Sequence, residues 1–114
     1  MGYTNYWNFK RPMTQDEYSD LKEYILWNIE EMATNDGVKL DINWGSDSLS
    51  WVSLNGVGKD SHEDMFFEFE RNGRFCYPSN FCKTNRKPYD KYVWAVLEYL
   101  KGVMGNDISI SRDA

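Results

Sequence analysis

Val38-Lys39-Leu40-Asp41-Ile42-Asn43-Trp44, residues 38–44, is the stretch that decides the fold. Val38, Leu40, Ile42 and Trp44 alternate with Lys39, Asp41 and Asn43, and side chains change face at every residue only in an extended chain. The segment therefore predicts a strand with one buried face. Gly45-Ser46-Asp47-Ser48 has turn chemistry, so LSWVSLN at 49–55 predicts a second strand in hairpin relation to the first. Beyond a polar, glycine-containing loop at 56–61, DMFFEFE at 64–70 places Met65, Phe67 and Phe69 on one face. Arg71-Asn72-Gly73-Arg74 then supplies the Asn-Gly pair of a tight hairpin. A fourth strand is expected over 75–83, interrupted at Pro78, whose missing amide weakens a ladder.

Upstream of this run the period changes from two to between three and four. Thr14-Gln15-Asp16-Glu17 has capping-box spacing, in which the Thr hydroxyl and the Glu carboxylate satisfy free amides of a first helical turn. Tyr18, Leu21, Ile25, Ile29 and Met32 form one apolar stripe, so a helix is expected from Thr14 to about Thr34, ended by Asn35-Asp36-Gly37. YTNYWNF at 3–9, closed by Lys10, Arg11 and Pro12, predicts a strand before it. Downstream, Pro88 suits a first helical turn, and Tyr89, Val93, Val96, Leu97, Leu100 and Met104 give a second stripe to Gly105. A short strand over 108–111 follows. The order β-α-β-β-β-β-α-β, with strands grouped instead of regularly interleaved with helices, predicts a single α+β domain over 1–114. Its expected form is a mainly antiparallel sheet of about five to six strands with both helices on one face.

The 114 residues suit one core, and 17% aromatic residues supply ample apolar surface. Five Trp and eight Tyr exceed what one small core readily encloses, which points to a homo-oligomer. Thirteen Lys and Arg against eighteen Asp and Glu leave −5, a balance that disfavours general nucleic-acid binding. No run is long and apolar enough to span a bilayer, and MGYTNYWNFKRP lacks the apolar core of a signal peptide, so a soluble, unsecreted protein with no membrane partner is expected. Tyr6 stands where a myristoylation signal wants Ser or Thr. Cys76, Cys82 and the single His62 cannot make a four-ligand zinc site. Reduced thiols and no metal or other cofactor are expected.

Lys83, Arg86, Lys87 and Lys91 face only Asp90 within residues 81–91, a local charge of +3 that leaves −8 for the remainder. This basic corner lies where a strand meets a helix N-terminus, whose free amides favour a phosphate or carboxylate, with Thr84 and Asn85 adding polar groups. The alternative is a solvated loop in which Asp90 caps the helix. Tyr3, Tyr6 and Trp7 have rings able to stack on a planar ligand, or to pack in a core. His62-Glu63-Asp64 sets an imidazole beside two carboxylates, material for acid/base work or for structural hydrogen bonds. Cys82, beside Lys83, is a nucleophile candidate or a buried strand cysteine. No motif of hydrolysis, phosphate cradling or dinucleotide binding is present, so no catalytic residue is assigned. The helix over 14–34 carries Asp16, Glu17, Asp20, Glu23, Glu30 and Glu31 against Lys22 alone, a face that can complement a basic groove.

Met1-Gly2-Tyr3-Thr4-x-Tyr6-Trp7, the His62-Glu63 pair and Phe81-Cys82-Lys83-Thr84-x-Arg86-Lys87-Pro88-Tyr89-Asp90 together resemble a family of small phage and bacterial proteins. Its members have His where this chain has Asn5, and a longer insert where this chain has the 71–74 turn. The resemblance implies a context and not an activity: accessory, often anti-defence proteins in the cytoplasm of a bacterial host. Three expectations follow. In the first, the chain is a non-catalytic binder of an anionic small ligand such as a nucleotide, held by Lys83, Thr84, Arg86 and Lys87, with His62 and Glu63 at its polar edges and Tyr3, Tyr6 or Trp7 stacking. In the second it is an acidic inhibitor of a nucleic-acid-handling host protein. The third makes it a small enzyme using His62 or Cys82.

Overall fold

The computed structural model describes residues 3–45, 50–76 and 80–113. In chain order these form β1 (Thr4–Phe9), α1 (Gln15–Tyr24), a π-helical turn (Ile25–Ile29) and α2 (Glu30–Asn35). Next come β2 (Leu40–Trp44), β3 (Trp51–Gly56), β4 (Met65–Glu68), β5 (Glu70–Arg71) and β6 (Arg74–Phe75). The remainder is β7 (Asn80–Lys83), α3 (Asp90–Met104) and β8 (Ile108–Arg112). The chain is α+β, and every ladder among the described residues is antiparallel.

The strands divide into β2-β3-β4, β7-β1-β8 and the small β5-β6 pair, in place of the single sheet expected. Two local causes produce the division. At Phe69 and Glu70, successive backbone amides both donate to the Ser50 carbonyl, at 2.8 and 3.3 Å, so the ladder ends in a bulge and the expected 64–70 strand breaks. The chain then reverses through Asn72 and Gly73, both at positive φ, as the Asn-Gly signal predicts. Of the expected 75–83 strand, the second half is β7. It pairs with β1, with Tyr6 opposite Phe81, and not with the preceding hairpin. Pro78 and residues 46–49 lie outside the described residues, so the expected interruption and most of the 45–48 turn do too.

The capping box forms as expected: the Thr14 hydroxyl accepts from the Glu17 amide at 3.1 Å, and the Glu17 carboxylate accepts from the Thr14 amide at 2.9 Å. Ten residues later the helix changes pitch. The Glu30 amide donates to the Ile25 carbonyl, five residues back, and the wider turn absorbs one extra residue. The buried face is therefore Tyr18, Leu21, Ile25, Ile29 and Ala33, and Met32, expected inside, is 36% exposed. The helix closes in a Schellman motif: Gly37, at φ +73°, donates to Thr34 O, and the Val38 amide donates to Ala33 O at 2.8 Å. That bond commits Val38 to the helix end, which is why β2 begins at Leu40.

The two larger sheets share one core. Trp7 and Phe9 of β1 meet the Phe67 ring of β4 edge-on, with centroids 5.2 and 5.9 Å apart. Ile25, Ile29, Val93, Val96, Leu97 and Leu100 of the helices join these rings in one buried cluster. Helix α3 packs on β1, β8 and the π turn, so the helices touch each other as well as the sheets. It begins at Asp90, with buried Tyr89 as its cap residue, two positions beyond the Pro88 start expected.

Candidate functional site

Lys83 closes β7, and the chain turns through Asn85 and Arg86, both at positive φ, while the Lys87 amide donates to Thr84 O at 3.0 Å. That geometry is a type I′ reversal made without glycine. Lys83 and Arg86 are exposed, Lys87 is half-buried, and none of the three is ion-paired among the described residues. The same is not true of Thr84, which is wholly buried: its amide donates to Tyr3 O at 2.9 Å and its hydroxyl to Asp90 Oδ1 at 2.5 Å.

Asp90 collects two further donors. Asn5 Nδ2 reaches Oδ1 at 2.8 Å, and the Arg112 guanidinium bridges to Oδ2. Sequence reasoning expected an external anion near this helix N-terminus, and the chain places its own carboxylate there, with an arginine to neutralise it. The Arg112 guanidinium in turn lies 4.6 Å from the centroids of both Tyr3 and Trp94, and Arg86 lies 5.2 Å from Tyr3. Tyr3 is thus engaged with two cations of its own chain. The part played by Asn5, Trp94 and Arg112 escaped sequence reasoning. The available signal was Asn5 itself, a polar residue at an inward position of a strand that continues with Trp7 and Phe9.

The three candidate stacking rings do not converge. Neighbouring residues of a strand point to opposite faces. Trp7 is buried against Phe67 and belongs to the core, a correction to its expected ligand role. Tyr6 faces outward, 40% exposed, beside Phe81 at 6.2 Å, with its hydroxyl 3.3 Å from Asp113.

Glu63 is a joint between the sheets. Its carboxylate accepts the Lys83 amide at 2.8 Å, its amide donates to Lys83 O at 3.2 Å, and its carbonyl accepts from the Cys82 thiol and the Tyr89 hydroxyl. His62 is exposed and held by its backbone: Asn55 accepts from its amide and donates to its carbonyl, each at 3.0 Å. Cys82 is fully buried, and burial above all pushes its thiol up to about 12, so it stays protonated and poorly nucleophilic. Cys76 is also a free thiol. Among the described residues no cluster of His, Cys, Asp and Glu could hold a metal ion, and no helix is long and apolar enough to cross a membrane.

The acidic helix presents a different surface. Arg11 grips Glu17 in a two-point contact at 2.7 and 2.9 Å, which holds that carboxyl down at about 2. Asp16, Asp20, Glu23, Glu30 and Glu31 are exposed and make no ion pair among the described residues. Between them, in the π turn, Trp27 is 71% exposed. It borders two open grooves, one of about 350 Å³ toward Asp20, Glu23, Tyr24 and Tyr99, the other of about 320 Å³ toward Glu31 and Met32. Tyr24 and Tyr99 stack nearly parallel, centroids 4.1 Å apart. Both phenols hold their protons more tightly than usual, through burial first and then the nearby charges of Glu98 for Tyr24 and of Asp20 and Glu23 for Tyr99. Sequence reading found the carboxylates and missed Trp27, although a Trp off the apolar stripe between Ile25 and Ile29 was a visible signal. No protein-family model, curated protein or solved structure matches the chain.

Proposed function

We propose that the chain is a non-catalytic protein-binding module that docks its acidic, tryptophan-bearing helix, residues 15–35, on the basic surface of a nucleic-acid-handling protein. Trp27 carries this reading. An exposed Trp flanked by grooves is the side-chain type that supplies interface anchors, because it buries a large rigid surface at little conformational cost. The unpaired carboxylates around it supply long-range attraction to a basic partner and penalise acidic ones. The resemblance to phage proteins supports a bacterial defence protein as that partner, with inhibition arising by occupation of the groove that holds nucleic acid.

Fluorescence anisotropy of a labelled duplex, bound in turn to purified bacterial defence nucleases and other nucleic-acid-binding proteins, tests the proposal. Added chain should release duplex from at least one of them, more weakly as salt rises, and the triple reversal of Asp20, Glu23 and Glu30 to Lys should abolish the release. Failure to displace duplex from any member of the panel counts against it. A second reading keeps an anionic small ligand at the 83–87 turn, favoured by the unpaired cations Lys83, Arg86 and Lys87. A phosphorylated molecule seen by native mass spectrometry of gently purified protein, and lost on Lys83→Ala with Arg86→Ala, is its expected signature.

A further inference from the structure

The molecule seats one arginine internally, and that seat shows what the surface groove is chemically equipped to take. Arg112 lies against a tyrosine, Tyr3, and a tryptophan, Trp94, each at 4.6 Å, while the Asp90 carboxylate accepts from its Nη2. A planar guanidinium is suited to this combination, because it stacks on ring faces and donates in its own plane to a carboxylate, which a lysine ammonium does less well.

The groove beside Trp27 has the same components. Its lining includes Tyr24, Tyr99 and Trp27 with the carboxylates of Asp20 and Glu23 and the amide-bearing Asn28. No cation among the described residues pairs with either carboxylate, and Lys22, the one basic residue of the helix, lies instead over Trp44 at 5.6 Å. The Tyr24 and Tyr99 rings, stacked 4.1 Å apart, give the groove an aromatic wall beside these carboxylates. At about 350 Å³ the groove is open to solvent and wide enough for a side chain entering from a neighbouring molecule. Charge complementarity selects a cation, and the aromatic surface selects a flat one.

We propose that the groove formed by Asp20, Glu23, Tyr24, Trp27 and Tyr99 is a subsite for an arginine side chain of the partner protein. This rests on the docking role of helix 15–35 and specifies the residue that the helix reads. The unpaired carboxylates on the rest of the helix then attract the partner without discriminating, and the groove distinguishes an arginine-bearing surface from one merely rich in lysine.

Titration of the isotopically labelled full chain with nine-residue oligoarginine and oligolysine peptides, followed by NMR, tests the subsite. The Trp27 indole resonance is assigned from Trp27→Phe. Oligoarginine is expected to shift that indole and the amides of residues 20–28, and to bind about fivefold or more tightly than oligolysine. Trp27→Ala, at a surface position and with the rest of the spectrum unchanged, should cut oligoarginine affinity about fivefold and bring the two peptides level. Equal affinity for both peptides, or loss on Asp20→Asn with Glu23→Gln but none on Trp27→Ala, overturns the subsite as plain charge attraction. Neither result touches duplex displacement, which stands or falls by its own assay. Arginine selectivity without displacement of any duplex keeps the subsite and removes nucleic-acid-handling proteins as its target.

Discussion

Asp90 gathers Asn5, Thr84 and Arg112, side chains from three distant parts of the chain, onto one carboxylate. Because the carboxylate is mostly buried, removing it strands a guanidinium and two polar groups that water reaches poorly. Asp90→Ala should therefore cost about 3 kcal/mol in urea unfolding, whereas an exposed carboxylate such as Glu31 should cost under about 0.5 kcal/mol when changed to Gln. Glu17 makes a second prediction at this scale. Arg11 and the Thr14 amide hold its carboxyl down to about 2 from an ordinary value of 4.5. A depressed carboxyl stabilises the fold above its unfolded value and loses that contribution as pH falls toward the folded one. The advantage of the native chain over Glu17→Gln should thus be full at pH 6, shrink below pH 4.5 and vanish near pH 2 in unfolding series. The capping box behind this pair was legible in the sequence, since its two residues are three apart. The Asp90 cluster was not, because nothing local joins residues 5, 84 and 112.

The element that matters most is the helix with a π turn at Ile25–Ile29. A regular α-helix places residues 18, 21, 25, 28 and 32 on one face, and inserting one residue after Ile25 converts that set into the Tyr18, Leu21, Ile25, Ile29 and Ala33 observed. Deleting Asn28, an exposed residue, should therefore restore the α pitch, keep the same buried face and change stability by under about 1 kcal/mol, read by circular dichroism and urea unfolding. The same deletion should abolish duplex displacement, because Trp27 is reoriented relative to Tyr24 and Tyr99. Periodicity alone could not reveal the insertion. Met32 and Ala33 are both apolar, so a stripe ending on either satisfies a sequence pattern. The strand over 38–44 was far easier to read, because alternation leaves no second solution for Leu40, Ile42 and Trp44.

Across the whole molecule, the sheets meet through a shared apolar core and through the polar joint at Glu63. Glu63→Ala should accelerate hydrogen exchange at the Lys83 amide, which loses its carboxylate acceptor, and leave the Thr84 amide slow because Tyr3 O holds it. The α+β class was legible because it depends on local periods and on the grouping of strands. The division into two larger sheets and a short β5-β6 pair was not, since it depends on the non-local pairing of β7 with β1. The candidate ligand residues were separated for the same reason: Tyr3, Thr84 and Arg86 do lie close together, but Asp90 already engages Thr84 and Arg112 already lies over Tyr3.

Strand β1 is the centre of its sheet, flanked by β7 and β8. On a ribosome, its Trp7 and Phe9 emerge before either flanking strand, and the second of these arrives only with residues 108–112. At about 5–20 residues per second the wait is roughly 5–20 s, during which an aromatic strand has no native partner on that edge. The sheet is consequently completed only once β8 has been made. Chains truncated short of β8 leave Trp7 and Phe9 without that flank and should yield aggregates instead of a smaller folded domain, read by sedimentation of the expressed fragment.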